Sequence, residues 1–180
     1  MDDIYFETPR LIIRKWHIED AVELCSLMSD PRVHEYASSK PWDIEHTKNY
    51  INLIISKNFK SLDLFHAACV LKVSNTIIGI TGLNPYLSSQ PEIEWKLGVN
   101  YWGYGYATEI GTETVRQAFR TTNIEAIYGM AHPDNTASLK VLEKIGMIPQ
   151  GLNSFHNKQY QFYKIDRKQF ERINVESDIN

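Results

Sequence analysis

The sequence has little of what usually announces a function. Only two of its 180 residues are cysteine, Cys25 and Cys69, and neither belongs to a Cys-x-x-Cys pair or a Cys/His ligand pattern. A disulfide scaffold and a zinc site are therefore set aside, and the six histidines show no metal spacing. Two reduced, buried thiols in a cytoplasmic protein are the expectation. Basic residues are not in excess: 19 Lys and Arg stand against 22 Asp and Glu, a net charge of −3. That argues against a dedicated nucleic-acid binder. No stretch approaches the roughly 18 apolar residues of a membrane span, and the nearest candidate, Leu64 to Leu71, already contains His66. The opening residues, MDDIYFETPR, are acidic and have no apolar core flanked by positive charge, so they do not read as a secretion signal. Neither an internal repeat nor a low-complexity stretch is present.

What remains is an ordinary globular composition, 43% hydrophobic and 23% charged. A chain of this length makes one domain and buries about two-thirds of the surface its unfolded form exposes. The unusual number is the aromatic share, 12%, with 10 Tyr and 4 Trp. Part of it is concentrated in one place, at Tyr101, Trp102, Tyr104 and Tyr106.

Periodicity gives an element order. Residues 10–16, after Pro9, read as a strand, and residues 20–28 as a helix with Ala21, Leu24, Cys25 and Met28 on one stripe. Asp43 is a suitable N-cap for a second helix to about Asn58. Three strands follow at 64–72, 76–83 and 92–99, the first two as a hairpin, with a polar loop holding Pro85 and Pro91 before the third. Then come a helix at 103–120, a strand at 126–131, a helix opened by Asp134-Asn135 and stopped at Gly146, and a strand pair at 147–151 and 159–165. The order β-α-α-β-β-β-α-β-α-β-β predicts an α+β fold, a mixed sheet with helices packed on it. Residues 1–166 form the predicted domain, and 167–180 read as a polar C-terminal tail, a frayed helix or disordered.

The informative stretch is LGVNYWGYGYATE, Leu97 to Glu109, a strand running through a glycine-bearing loop into a helix. Gly103 and Gly105 permit positive φ and close approach of backbone to a ligand. The helix start offers unpaired N–H groups and the positive end of its dipole to a phosphate. A dinucleotide-binding loop would need glycine at position 108, which is Thr108, and a Walker loop would need Gly-Lys-Ser/Thr. Both fingerprints fail, which demotes a nucleotide-binding domain.

The same residues resemble the GNAT family of N-acetyltransferases. Their loop pattern is Arg/Gln-x-x-Gly-x-Gly/Ala, and here Trp102, Gly105 and Ala107 hold the first, fourth and sixth places. Trp102 and the run WGYGYATE are similar to the branch that acetylates ribosomal-protein N-termini, as is TPRLIIR near the start. A second block, Asn135 to Met147, resembles the family's N-x-x-S-x-x-V-L-E-K-x-G-F segment. Together the likeness spans roughly Thr8 to Ile165.

The resemblance implies a mostly antiparallel mixed sheet with splayed central strands and flanking helices, and acetyl-CoA as co-substrate with no metal. It implies that Leu97, Gly98 and Val99 offer backbone groups to pantetheine. Trp102, Gly103, Tyr104, Gly105, Tyr106, Ala107 and Thr108 would surround the diphosphate, and Asn135 and Ser138 would face the thiol end. Asn135 reads equally as a helix N-cap and Ser138 as a first-turn residue. Glu92 and Glu94 share one face of their strand and are candidate bases, Glu94 preferred; a solvated strand face is the plainer reading. The place where many relatives carry a Tyr acid is Leu142, leaving Ser138 as the nearest hydroxyl. His34, Tyr36, Trp42 and His66 are candidate acceptor-lining residues. Neither cysteine has a context that lowers a thiol pKa, so direct attack on the thioester is expected rather than an acetyl-enzyme. The expected acceptor is a primary amine, a peptide or protein N-terminus ahead of a small amine such as a polyamine or aminoglycoside. A non-catalytic acyl-CoA sensor is the rival. No nucleic-acid or membrane partner is expected, and the chain is a monomer or homodimer.

Overall fold

The computed structural model describes residues 3–37, 39–57, 59, 64–86, 90–155 and 158–177. Eight strands form one sheet: β1 (Ile4–Glu7), β2 (Leu11–Arg14), β3 (Phe65–Leu71), β4 (Thr76–Tyr86), β5 (Gln90–Leu97), β6 (Ala126–Ala131), β7 (Ile148–Phe155) and β8 (Lys158–Asp166), in the order β1-β2-β3-β4-β5-β6-β8-β7. Every neighbouring pair is antiparallel except β5 and β6. Five helices cover it: α1 (Ala21–Met28), α2 (Ile44–Lys57), α3 (Tyr106–Thr121), α4 (Thr136–Lys144) and α5 (Arg167–Ser177).

The central strands are apolar on both faces because the sheet carries helices on both. On one face Ala68, Val70, Ile77 and Ile80 pack with Leu24 and Met28 of α1 and Ile51 and Ile54 of α2. On the other Leu11, Ile13, Phe65, Cys69, Ile93 and Ile127 pack with Ile110 and Val115 of α3 and Leu142 of α4. β3 consequently reads FHAACVL, almost continuously buried rather than alternating.

The feature that positions the site is the seam between β5 and β6. The two parallel strands make a single bridge, Glu92 to Tyr128. Past that point β5 keeps its register with β4 as far as Leu97–Gly79, and the Gly98 N–H donates to the Ile78 carbonyl at 2.9 Å. β5 thus follows β4 and leaves β6, opening a gap whose edges are unpaired strand.

Two expectations are corrected and a third is narrowed. The sequence reading has no strand at Ile4–Glu7, because four residues flanked by acid give too short a run; β2 supplies the partner that makes it one. Pro85 and Pro91 stand opposite each other inside β4 and β5, not in a loop. The segment read as a polar tail is helix from Arg167 to Ser177. The Arg167 guanidinium donates to the carbonyls of Phe119, Thr122 and Ile124 at 2.6, 2.8 and 2.9 Å, and Phe170 packs on Phe119. One of its charges closes the end of α3. Residues 178–180 lie outside the described residues.

Candidate active site

The glycine loop has the conformation its sequence demands. Gly103 and Gly105 both sit at positive φ, 82° and 80°, with Gly105 as the N-cap of α3. The Glu109 N–H is the first to find a helical partner, the Gly105 carbonyl, which leaves the amides of Tyr106, Ala107 and Thr108 directed out of the helix end. Between β5 and this helix lies a short 3₁₀ turn, Val99–Tyr101. Two expected contacts are altered by it. Val99 has already left the strand, and Gly98 has given its N–H to β4. Of the three residues expected to face pantetheine, only Leu97 remains strand, and its carbonyl accepts the Trp102 indole N–H at 2.8 Å. Trp102, at the place the general pattern fills with Arg or Gln, therefore braces the loop from within.

One row across the sheet joins His66, Gly82 and Glu94, since His66 pairs with Gly82 and Gly82 with Glu94. Directly opposed residues share a face, and the missing side chain at Gly82 lets its neighbours meet above it. His66 Nδ1 lies 3.1 Å from Glu94 Oε1 and 3.4 Å from the Tyr50 hydroxyl. Burial alone would raise the Glu94 carboxyl. The hydrogen bond and charge of His66, the Lys96 ammonium and the Asn84 side chain outweigh it and hold Glu94 below the usual range. Glu92, two residues back on the same face, has no such support. Burial first, and the Glu94 charge second, push it up to about 7. It stands at the bridge from which the gap opens.

Aromatic rings line the α1–α2 side of this face. Trp42 packs against His46 and Tyr50, each ring centroid 4.9 Å away, and Lys96 Nζ lies 5.6 Å above it. Burial lowers the Lys96 ammonium pKa, opposed by Glu94. Lys96 donates to Ser39 Oγ at 3.4 Å, Ser39 bonds His34 Nδ1 at 2.8 Å, and His34 Nε2 bonds the Met28 carbonyl at 2.7 Å. His34, expected to line the acceptor site, is instead 5% exposed with both ring nitrogens engaged. It supports Lys96 from beneath. Tyr36 is half-buried and stacks on His132 at 5.6 Å.

On α4 the local readings hold. Asn135 is the N-cap, its side-chain oxygen accepting the Ser138 N–H at 3.1 Å. Ser138 lies one turn before Leu142, on the helix face that covers β6 at Gly129. Cys69 is fully buried and its thiol pushed far up by that burial, while Cys25 packs under the Trp42 carbonyl. Among the described residues no cluster of His, Cys, Asp and Glu has the makings of a metal site. No described helix is long and apolar enough to cross a membrane.

Residues 10–148 match the family model described as the acetyltransferase (GNAT) domain. The chain belongs to the GNAT acetyltransferase family. The uncharacterized N-acetyltransferase p20 of Bacillus licheniformis is 30% identical over 155 residues, 84% of this chain and 85% of that protein. The crystal structure of a GNAT-family acetyltransferase from Bacillus anthracis superposes with a TM-score of 0.79 at 26% identity, covering 92% of this chain and 99% of the other. Two more distant structures share the fold alone, each with a TM-score of 0.76 and each covering 91% of this chain and 97% of theirs. They are ribosomal-protein-S5-alanine acetyltransferase from Vibrio fischeri at 20% identity, and AAC(6')-Ib bound to paromomycin and acetyl-CoA at 16%. This GNAT enzyme is an acetyl-CoA-dependent acyltransferase. The gap between β5 and β6 and the amides at the start of α3 are features of its own backbone that suit an extended chain ending in a diphosphate.

Several residues near this site were not singled out from the sequence. Tyr50 and Lys96 carry no motif, although Lys96 follows Glu94 by two and so shares its face. Arg10 and Thr8, from the other end of the chain, reach the glycine loop through Glu109.

Proposed function

We propose that this acetyltransferase moves the acetyl group onto the α-amine of a peptide or protein N-terminus by direct attack, with Glu92 as general base. The observation that carries the reading is the divergence of two carboxylates on one strand face. Glu94 is kept ionised by His66, Asn84 and Lys96, whereas Glu92 is raised to about 7 beside the β5–β6 gap. Such a split assigns an electrostatic role to the first and proton transfer to the second. It reverses the order in which the sequence ranks them.

An α-amine has a pKa of about 7.7–8.0, against about 10.4 for lysine, so a base near 7 is matched to it. Glu94 attracts the ammonium form, and Glu92 takes one proton from it, so that the free amine attacks the thioester carbon. The carbon–sulfur bond then breaks with the pair leaving on sulfur, and the second nitrogen proton passes to that thiolate. Ser138, on the α4 face toward β6, is the hydroxyl assigned to relay it, giving its own proton to sulfur and regaining one from nitrogen. The burial of Cys69 supports direct transfer over an acetyl-enzyme.

Local charge favours an acceptor with one ammonium group. Lys96 and His66 stand on the same sheet face as the two carboxylates, and a polyamine or aminoglycoside would bring further positive charge against them. The test is release of free thiol from acetyl-CoA with short peptides beginning Ala, Ser or Met, alongside spermidine and an aminoglycoside. Turnover with peptides above that with the polycations is expected. The reverse preference overturns the acceptor, and tight cofactor binding with no turnover in either pool makes the protein a sensor.

A further inference from the structure

We infer that Arg10, from the turn between β1 and β2, supplies the cation for the diphosphate of acetyl-CoA. The inference rests on seating that diphosphate at the start of α3. From Leu97 through Val115 the chain has no Lys, Arg or His. The loop and the first turns of α3 therefore offer an anion only backbone amides, and they also carry Glu109 in the first turn of the helix. An uncompensated carboxylate there would repel a diphosphate.

Arg10 answers both deficits. Its Nε donates to Glu109 Oε2 at 2.6 Å and its backbone N–H to Glu109 Oε1 at 3.0 Å. Thr8 donates to the same carboxylate oxygen. The Arg10 Nη1 donates to the Tyr104 carbonyl at 2.9 Å, inside the glycine loop, and the guanidinium carbon lies 4.4 Å from the centre of the Tyr106 ring. These contacts hold the guanidinium plane in one place. Nη2 remains. Among the described residues it has no hydrogen-bond partner, and it would lie 3.7 Å from a Cβ built at Gly105, the N-cap. The Arg10 side chain is 45% exposed, so a ligand can approach it from solvent. A guanidinium fixed through Nε and Nη1 with Nη2 free is suited to a phosphate oxygen, and Lys has no equivalent geometry.

The experiment is calorimetric binding of acetyl-CoA and of S-acetylpantetheine, which lacks every phosphate, to wild type, Arg10→Met, Arg10→Lys and the double variant Arg10→Met/Glu109→Gln. Arg10→Met is expected to weaken acetyl-CoA binding by about 10- to 100-fold, with S-acetylpantetheine unchanged and the salt dependence of acetyl-CoA binding shallower. Arg10→Lys is expected to recover part of the loss. The double variant removes the repulsion with the cation and is expected to stay weaker than wild type. Undiminished acetyl-CoA affinity in Arg10→Met overturns the inference. So does an equal loss for both ligands, which would mark a purely structural role, or full recovery in the double variant, which would leave Arg10 only as the neutraliser of Glu109. A wild-type protein that binds the two ligands equally instead refutes the diphosphate seat itself.

Discussion

Glu92 and Glu94 differ by one pleat repeat and by almost everything around them. That both lie on one face was legible from their spacing alone. Their difference was not, because it is made by residues distant in sequence: His66 comes from β3, Asn84 from β4, and His66 reaches Glu94 only because position 82 is glycine. A raised carboxyl pKa also has a cost in stability. Between about 4.5 and about 7 the folded protein keeps a proton on Glu92 that the unfolded chain has released, so stability falls as pH rises through that window. The full penalty above pH 7 is on the order of 3 kcal/mol. Glu92→Gln is therefore expected to unfold at a higher temperature than wild type at pH 8 and at nearly the same temperature at pH 4. Thermal melts at the two pH values check it, and equal shifts at both would remove the buried, ionised carboxylate from the account. Glu94 has the opposite sign: its depressed pKa contributes stability above its ordinary value, lost as pH falls through the folded one.

Elements carry the next level, and the decisive one is the junction of β5 with α3. Its strand–glycine loop–helix order was visible in the sequence, as was the need for positive φ at Gly103 and Gly105. The 3₁₀ turn at Val99–Tyr101 was not, since three residues give no period to read, and it moves the strand's end back to Leu97. Gly105→Val would force a branched side chain to φ 80°, costing on the order of 1–2 kcal/mol, a strain the rest of the fold can absorb. The expected result is a folded protein, by circular dichroism, with acetyl-CoA binding lost in calorimetry. At the far end of α3 the closure by Arg167 was illegible, because a charged residue after a strand resembles the start of a solvated tail. Arg167→Ala leaves three carbonyls without their charged donor and is expected to destabilise the fold by about 2–4 kcal/mol, read in urea melts. A change under about 0.5 kcal/mol would show that α5 is not anchored there.

At the scale of the whole molecule, the sheet divides labour between its faces. One face, with α1 and α2, gathers His66, Glu92, Glu94, Lys96 and the Trp42 cluster. The other packs α3 and α4 against β5 and β6, with Gly111 of α3 beside Trp95 and Leu142 of α4 over Gly129. Element order and the two linked motifs were enough to anticipate this α+β architecture and its family, because long periodic segments and a glycine loop state their conformation locally. The acceptor face was harder. Its residues come from the segment before α2, α2, β3, β4 and β5, and the register of the sheet brings the strand residues together; His34, expected to line that site, is buried with its ring nitrogens on Ser39 and the Met28 carbonyl. The most direct measurement of the central claim is the pH dependence of kcat/KM for one α-amine peptide in wild type and Glu92→Gln. The wild-type profile should fall below about pH 7 as Glu92 takes up its proton, and the variant should be slower with its limb moved up to the titration of the peptide amine itself. Superimposable profiles of equal height would contradict Glu92 as the base.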